Sequence, residues 1–131
     1  MTRVLIADAM SPRAAAVFRD RGVEVDERPG LSQEELVGCI GDYDGVAVRS
    51  ATRVNVQVLE AAPNLKVVGR AGIGVDNIDL PAATAQGVVV MNTPFGNSIT
   101  TAEHAIAMLL SLARQIPEAD RSTRSGKWEK N

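Results

Sequence analysis

The sequence predicts an α/β fold: a five-stranded parallel sheet with helices on both faces, followed by a long C-terminal helix kinked at a proline. Two observations carry this. Short β-rich runs alternate with helical stretches through the first ninety residues, and the connections between them are short, the pattern of strand–helix–strand crossovers. Aromatic residues are only 3% of a chain that is 45% hydrophobic, so Val, Ile, Leu and Ala must fill the core. Small aliphatic side chains do so where helices pack closely on a sheet.

The elements follow in order. Arg3-Val4-Leu5-Ile6-Ala7 is a first strand. Ser11-Pro12 reads as an N-cap with proline at the first helical position, opening a helix through Phe18 that Gly22 closes. Val23-Glu24-Val25 is the second strand. Ser32 stands three residues before Glu35, a capping box, and the helix it opens carries Leu36 and Ile40 and stops near Gly41. Val46-Ala47-Val48 is the third strand, and Asn55 to Ala62 a short helix ended by Pro63. Leu65-Lys66-Val67-Val68 is the fourth strand, Leu80 to Gln86 another helix, and Val88-Val89-Val90-Met91 the fifth strand. After Asn97 the period becomes helical, with apolar residues at Ile99, Ala102, Ile106, Leu109, Leu110, Ala113 and Ile116. Thr100 and Glu103 match a second capping box, and Pro117 should kink or restart the helix.

In such a sheet ligands sit beyond the carboxyl ends of the strands, at the switch point of the strand order. Two arginines fall at such ends. Arg49 follows the third strand, with hydroxyls at Ser50 and Thr52, and Arg70 follows the fourth, beside Gly69, Gly72 and Gly74. A guanidinium offers paired donors to a planar anion, so the two arginines and the glycine-loop amides predict a carboxylate or phosphate site. The competing expectation is that they merely pair with local acids such as Asp44 or Asp76. Gly72-x-Gly74 also resembles part of a dinucleotide fingerprint, but Asn77 holds its third glycine position and the strand is the fourth of its set. A phosphorelay receiver has the same alternation and would use Asp8 toward a metal. Its phosphoacceptor position holds Arg49 instead, which would repel that metal.

The remaining features exclude classes. A formal net charge of −2 argues against general nucleic-acid or anionic-membrane binding. The one cysteine, Cys39, cannot form an internal disulfide and reads as a buried structural thiol. No metal-ligand spacing is present. Without a leader or an apolar run long enough to span a bilayer, the chain reads as cytoplasmic. His104 lies beside Glu103 on a helix, where neighbours point about 100° apart, and a packing or interdomain contact is its expected role.

Taken together, Val48 to Thr52, Val68 to Asp79 and Val90 to Ser98 resemble the D-isomer-specific 2-hydroxyacid dehydrogenases. So do Ala102-Glu103-His104, Leu112 to Pro117 and Gly126-Lys127-Trp128-Glu129. The resemblance implies a flavodoxin-like substrate-binding domain interrupted by an inserted NAD-binding domain. Residues 1–97 would be the first segment of the substrate-binding domain. Residues 98–131 would be the interdomain helix and the start of a truncated NAD-binding domain, whose fingerprint should come after Trp128. The family's catalytic arginine, glutamate and histidine lie further downstream, so no catalytic residue is assigned here and His104 is not that histidine. By the same resemblance Arg49, Ser50, Arg70 and Asn97 contact the anionic ends of the hydroxyacid. The loop at Gly72, Ile73 and Gly74 meets its carboxylate, and Ile73 also lies near the nicotinamide. The implied cofactor is NAD, with its main site outside this chain. The implied partners are a small anionic substrate and, in the intact enzyme, further copies of itself. The implied reaction is oxidation of D-3-phosphoglycerate to 3-phosphohydroxypyruvate, the entry to serine, with the chain inactive alone. The alternatives are another D-2-hydroxyacid, or an anion-binding α/β module without chemistry. A module of that kind would bury Ile99, Ile106, Leu109 and Ile116, whereas a dehydrogenase segment would leave them partly uncovered.

Overall fold

Strands β1 (Arg3–Ile6), β2 (Glu24–Glu27), β3 (Gly45–Val48), β4 (Val67–Arg70) and β5 (Val89–Met91) form one sheet in the computed structural model, which describes residues 1–128. All pairings are parallel and the order is β2-β1-β3-β4-β5. The chain therefore builds outward from β1 in one direction, then returns past it and builds in the other. The switch point falls between β1 and β3.

Alternation along each strand makes two cores. Leu5 and Ala7, Val46 and Val48, and Val68 point to one face, and Ile6 and Ala47 to the other, as the two-residue period of a strand requires. The first face is covered by α2 (Gln33–Cys39) with the 3-10 turn Ile40–Asp42, α3 (Val56–Glu60) and α4 (Leu80–Ala85). Leu36, Ile40, Val58, Leu59 and Ala83 are buried there. The second face is covered by α1 (Pro12–Arg19), whose Ala15 meets Ile6 and Val25. At the far edge of that face Val89 and Met91 are exposed.

Local signals place most boundaries. Ser11 caps α1 with Pro12 at its start, Asn55 caps α3 and Asp79 caps α4, each accepting a backbone N–H. The capping box at Ser32 is complete in both directions, Ser32 Oγ accepting from Glu35 N–H and Glu35 from Ser32 N–H. β4 lies two residues later than the apolar run suggested. Leu65 is held in a turn by its N–H to Ala62 C=O, and pairing with β3 carries the strand through Gly69 to Arg70.

The chain divides into two compact units, Met1–Gly96 and the residues from Asn97 on. The C-terminal stretch is two helices, α5 (Ser98–Ala113) and α6 (Ile116–Arg124). Gln115 between them adopts the left-handed conformation, φ 50°, so Pro117 lies in the first turn of a new helix instead of kinking an old one. The expected capping box at Thr100 does not form. The helix already begins at Ser98, behind Asn97, which places Thr100 inside it. The end of the motif from Gly126 to Glu129 lies outside the described residues. His104 is exposed on α5, and Cys39 is half-buried, its Sγ facing the Leu36 carbonyl. Among the described residues no helix is long and apolar enough to cross a membrane.

Leu36 is 1% exposed and Leu112 is 79% exposed. Leu36→Ala should cost about 2–5 kcal/mol of stability, the usual range for a buried leucine. Leu112→Ala should stay within about 0.5 kcal/mol. Urea unfolding of the two variants checks both.

Candidate functional site

At the switch point the chain places a carboxylate against a loop. Asp8 follows β1, and Arg49-Ser50-Ala51-Thr52 follows β3. The Asp8 side chain, only 5% exposed, accepts from the N–H groups of Arg49 and Thr52, and from the Thr52 hydroxyl at 2.6 Å. Burial by itself would raise its pKa. The Thr52 hydroxyl and the amides of Arg49, Thr52 and Ala51 outweigh burial and hold it below the ordinary carboxylate value. Asp8 is thus an ion kept charged by hydrogen bonds, and no cation is paired to it among the described residues.

The same loop is held from the other side. Asn77, in the loop after β4, donates through Nδ2 to the carbonyls of Arg49 at 2.8 Å and Thr52 at 2.6 Å. An isolated parallel bridge between Val54 and Ile78, both buried, zips the two loops together just beyond. The glycine loop is in turn fixed to the end of β5. Asn92 donates to Ile73 C=O at 2.7 Å, and Thr93 N–H to Gly72 C=O at 3.0 Å. The carbonyls of Gly72 and Ile73 are thereby occupied, while the N–H groups of Ile73 and Gly74 have no acceptor among the described residues.

The predicted site residues sit as follows. Arg70 pairs in register with Val48, so Arg49 and Arg70 leave the sheet at adjacent strand ends. Arg49 is exposed, and its Nη1 donates to Ala9 C=O at 3.2 Å. Arg70 is half-buried, and its Nε is enclosed without a hydrogen-bond partner. Among the described residues neither guanidinium is paired to a carboxylate. Of the two expected local acids, Asp44 takes Lys66 at 2.7 Å and the Arg3 N–H, and Asp76 makes no ion pair with either arginine among the described residues. Ser50 and Gly74 are exposed, and Ile73 is 42% exposed at the loop tip. Gly72 is the floor under Arg70: a Cβ there would lie 2.8 Å from the guanidinium carbon and collide with Nη1. A Cβ on Gly74 would lie 2.9 Å from Asp76 Oδ1. Asn97 belongs to the second unit, where it is exposed just ahead of α5 and makes no side-chain cap.

A cavity of about 580 Å³ is lined by Arg53, Asn55, Asp76, Asn77, Asp79 and neighbouring residues, and by none of the predicted site residues. The arginine edge is open surface. Sequence reasoning missed Asp8 and Asn77, and also Asn92 and Thr93. Nothing in their local pattern announces a partner some twenty to forty residues away; the signal was their position after strands.

The glycine loop does not fit a pyrophosphate. A dinucleotide turn leads directly into a helix whose free N-terminal amides take the phosphates. Here Asn77 is spent on the neighbouring loop, and α4 begins only at Leu80 behind the carboxylate of Asp79, which takes the Ala82 N–H. No group of acidic, histidine or cysteine side chains able to hold a metal occurs among the described residues.

The pattern of the D-isomer specific 2-hydroxyacid dehydrogenase catalytic domain matches residues 4–125. The chain belongs to this family. It is 52% identical over 128 residues to the D-3-phosphoglycerate dehydrogenase of Archaeoglobus fulgidus, a match over 98% of this chain and 24% of that protein. The TT0316 protein of Thermus thermophilus superposes with a TM-score of 0.84 at 32% identity, over 99% of this chain and 42% of that one. The NAD+-bound 3-phosphoglycerate dehydrogenase of Entamoeba histolytica gives 0.75 at 30% identity, over 84% and 38%. The chain spans about a quarter of the length of the curated relatives it matches.

Asp8 carries a pH signature. Its pKa is depressed in the folded state, so its stabilisation is fully present above the ordinary value of 3.8 and is lost as pH falls through the folded value. The stability advantage of the parent over Asp8→Asn should therefore be flat from pH 7 to about 5 and shrink below about 4. Urea unfolding of both proteins across that range checks it.

Proposed function

We propose that residues 1–97 are the first segment of the substrate-binding domain of an NAD-dependent dehydrogenase that oxidises D-3-phosphoglycerate to 3-phosphohydroxypyruvate. Residues 98–131 are then the interdomain helix and the start of its cofactor domain. The observation that carries this reading is the pair of strand-end arginines without carboxylate partners, set beside loop amides without acceptors, among the described residues. Family membership and the names of the similar proteins support the reaction class.

In this reading the guanidinium groups of Arg49 and Arg70, with the Ser50 hydroxyl, take the anionic ends of the substrate. The N–H groups of Ile73 and Gly74 meet its carboxylate. Gly72 leaves room for Arg70 to lie over the loop. Ile73 has only its apolar side chain and backbone to offer a nicotinamide ring. NAD, when bound, supplies the hydride acceptor; its pyrophosphate is held outside the described residues. The intact enzyme is a cytoplasmic homo-oligomer.

In the whole enzyme, Arg49→Ala or Arg70→Ala should each weaken phosphoglycerate binding by about 1–3 kcal/mol, roughly 5- to 150-fold in KM. Gly72→Ala should raise the same KM by displacing the guanidinium, while leaving thermal stability nearly unchanged. The 131-residue chain alone should show no turnover with NAD and phosphoglycerate. Unchanged KM in both arginine variants, or a kcat/KM for another D-2-hydroxyacid equal to that for phosphoglycerate, would overturn the substrate assignment.

A further inference from the structure

We propose that Asp8 and Asn77 are positioning residues for Arg49, clamping its loop from both sides so that the guanidinium is held ready for its anion. The inference rests on the assignment of Arg49 to substrate binding made above. Four residues, Arg49 to Thr52, make up the turn. The N–H groups of Arg49 and Thr52 both go to Asp8 Oδ2, and the carbonyls of the same two residues both accept from Asn77 Nδ2. Both backbone polar groups at each end of the turn are thus held by side chains from two other strand ends. A fifth bond, Thr52 Oγ1 to Asp8 Oδ1, anchors the last residue again. The turn cannot shift without breaking several of these bonds at once.

The chemistry of each clamp matches its task. A carboxylate only accepts, and the turn presents it with three donors. A carboxamide nitrogen carries two N–H groups, and the turn presents it with two carbonyls. Turning the Asn77 amide over would put its oxygen against both carbonyls, so the bonding fixes its orientation. Its own Oδ1 is enclosed and unpartnered, an unmade hydrogen bond tolerated for the sake of the two donors. Nor is Asp8 a natural space-filler. A buried carboxylate is costly unless hydrogen-bonded, and an apolar residue would fill the same volume without that demand.

The clamp reaches the side chain as well as the backbone. Arg49 Nη1 donates to the carbonyl of Ala9, the residue after Asp8. The β1 turn therefore fixes the root of Arg49 through a carboxylate and its tip through a carbonyl. One nitrogen of the guanidinium is used in this way, and the others remain for a ligand.

Asp8→Asn separates geometry from charge. Its Oδ1 can take the place of Oδ2 and accept both amides. Its Nδ2 can then donate to Thr52 Oγ1, whose proton turns to the Ala7 carbonyl at 3.3 Å. Asp8→Ala removes the bonds altogether, and Asn77→Asp faces two carbonyls with an acceptor.

The test is a double-mutant cycle in the whole enzyme, read as KM for phosphoglycerate, KM for NAD, kcat and thermal midpoint. Asp8→Ala and Asn77→Ala should each raise KM for phosphoglycerate by about tenfold or more, with KM for NAD and kcat changed less than about threefold. Asp8→Asn should recover most of the loss. In an Arg49→Ala background, Asp8→Ala and Asn77→Ala should add nothing further to KM, because a residue acting only through Arg49 has nothing left to position. Leu36→Ala, buried in the same unit, controls for instability and should lower the midpoint without moving KM.

Where Asp8→Ala does not fold, Thr52→Val and Asn77→Ala carry the same cycle. The proposal is overturned if Arg49→Ala raises KM and the clamp variants do not. It is also overturned if the clamp variants raise KM equally with and without Arg49. An unchanged KM in Arg49→Ala itself removes the substrate role of Arg49, and the positioning role with it.

Discussion

A buried carboxylate with three donors around it governs the end of this sheet. Asp8 sits where the strand order reverses, the position at which adjacent loops diverge to opposite faces and open a crevice. A crevice of this kind exposes backbone amides that the sheet no longer pairs. Here Asp8 collects those of Arg49 and Thr52, so the β3 loop takes one shape and does not wander. A buried ion is usually a liability. At this place the hydrogen bonds outweigh desolvation, as the lowered pKa records.

From that point order spreads along the carboxyl edge of the sheet. Asn77 ties the β4 loop to the β3 loop, and the Val54–Ile78 bridge continues the join. Asn92 and Thr93 tie the end of β5 to the glycine loop. Each tie uses a carbonyl or an amide on one loop and a polar group from the next strand along. The result is a row of loops that behave as one edge. Its carbonyls are largely spent inward and its two guanidinium groups left without a carboxylate among the described residues, an arrangement biased toward anions before any ligand arrives.

The sequence disclosed the architecture and the two arginines, because both rest on local or periodic signals. Alternating periods, caps at Ser11 and Ser32, and the position of Arg49 and Arg70 after apolar runs all survive in the structure. It did not disclose what holds the arginines in place. Asn77 reads locally as the residue that spoils a glycine fingerprint, and only the parallel pairing of β3 with β4 brings it under Arg49. Asp8 reads locally as an acid that a receiver would aim at a metal, and only the parallel pairing of β1 with β3 brings it to Arg49. The local signal that failed was the capping pattern at Thr100 and Glu103. A capping box needs an extended residue at the cap, and the chain enters that helix three residues earlier, with Asn97 at the cap. The β4 boundary moved because strand pairing, and not apolar content, decides where a strand ends.

The openness of the arginine edge makes that fixed geometry matter. Arg49 and Ser50 are exposed, and the cavity of about 580 Å³ is lined by neither Arg49 nor Arg70. In high dielectric an ion pair at 4 Å is worth only about 1 kcal/mol, and the ordering of long side chains consumes much of it. An arginine free to sample many rotamers on such a surface would bind an anion poorly. One whose backbone is clamped, and whose guanidinium already leans on Ala9, loses less freedom on binding. Arg70 reaches the same end by another route, since it lies over Gly72 in space that no other residue would leave open. On the proposed reading, affinity at this edge would depend on preorganisation more than on burial, with Asp8 and Asn77 acting on the anion only through Arg49.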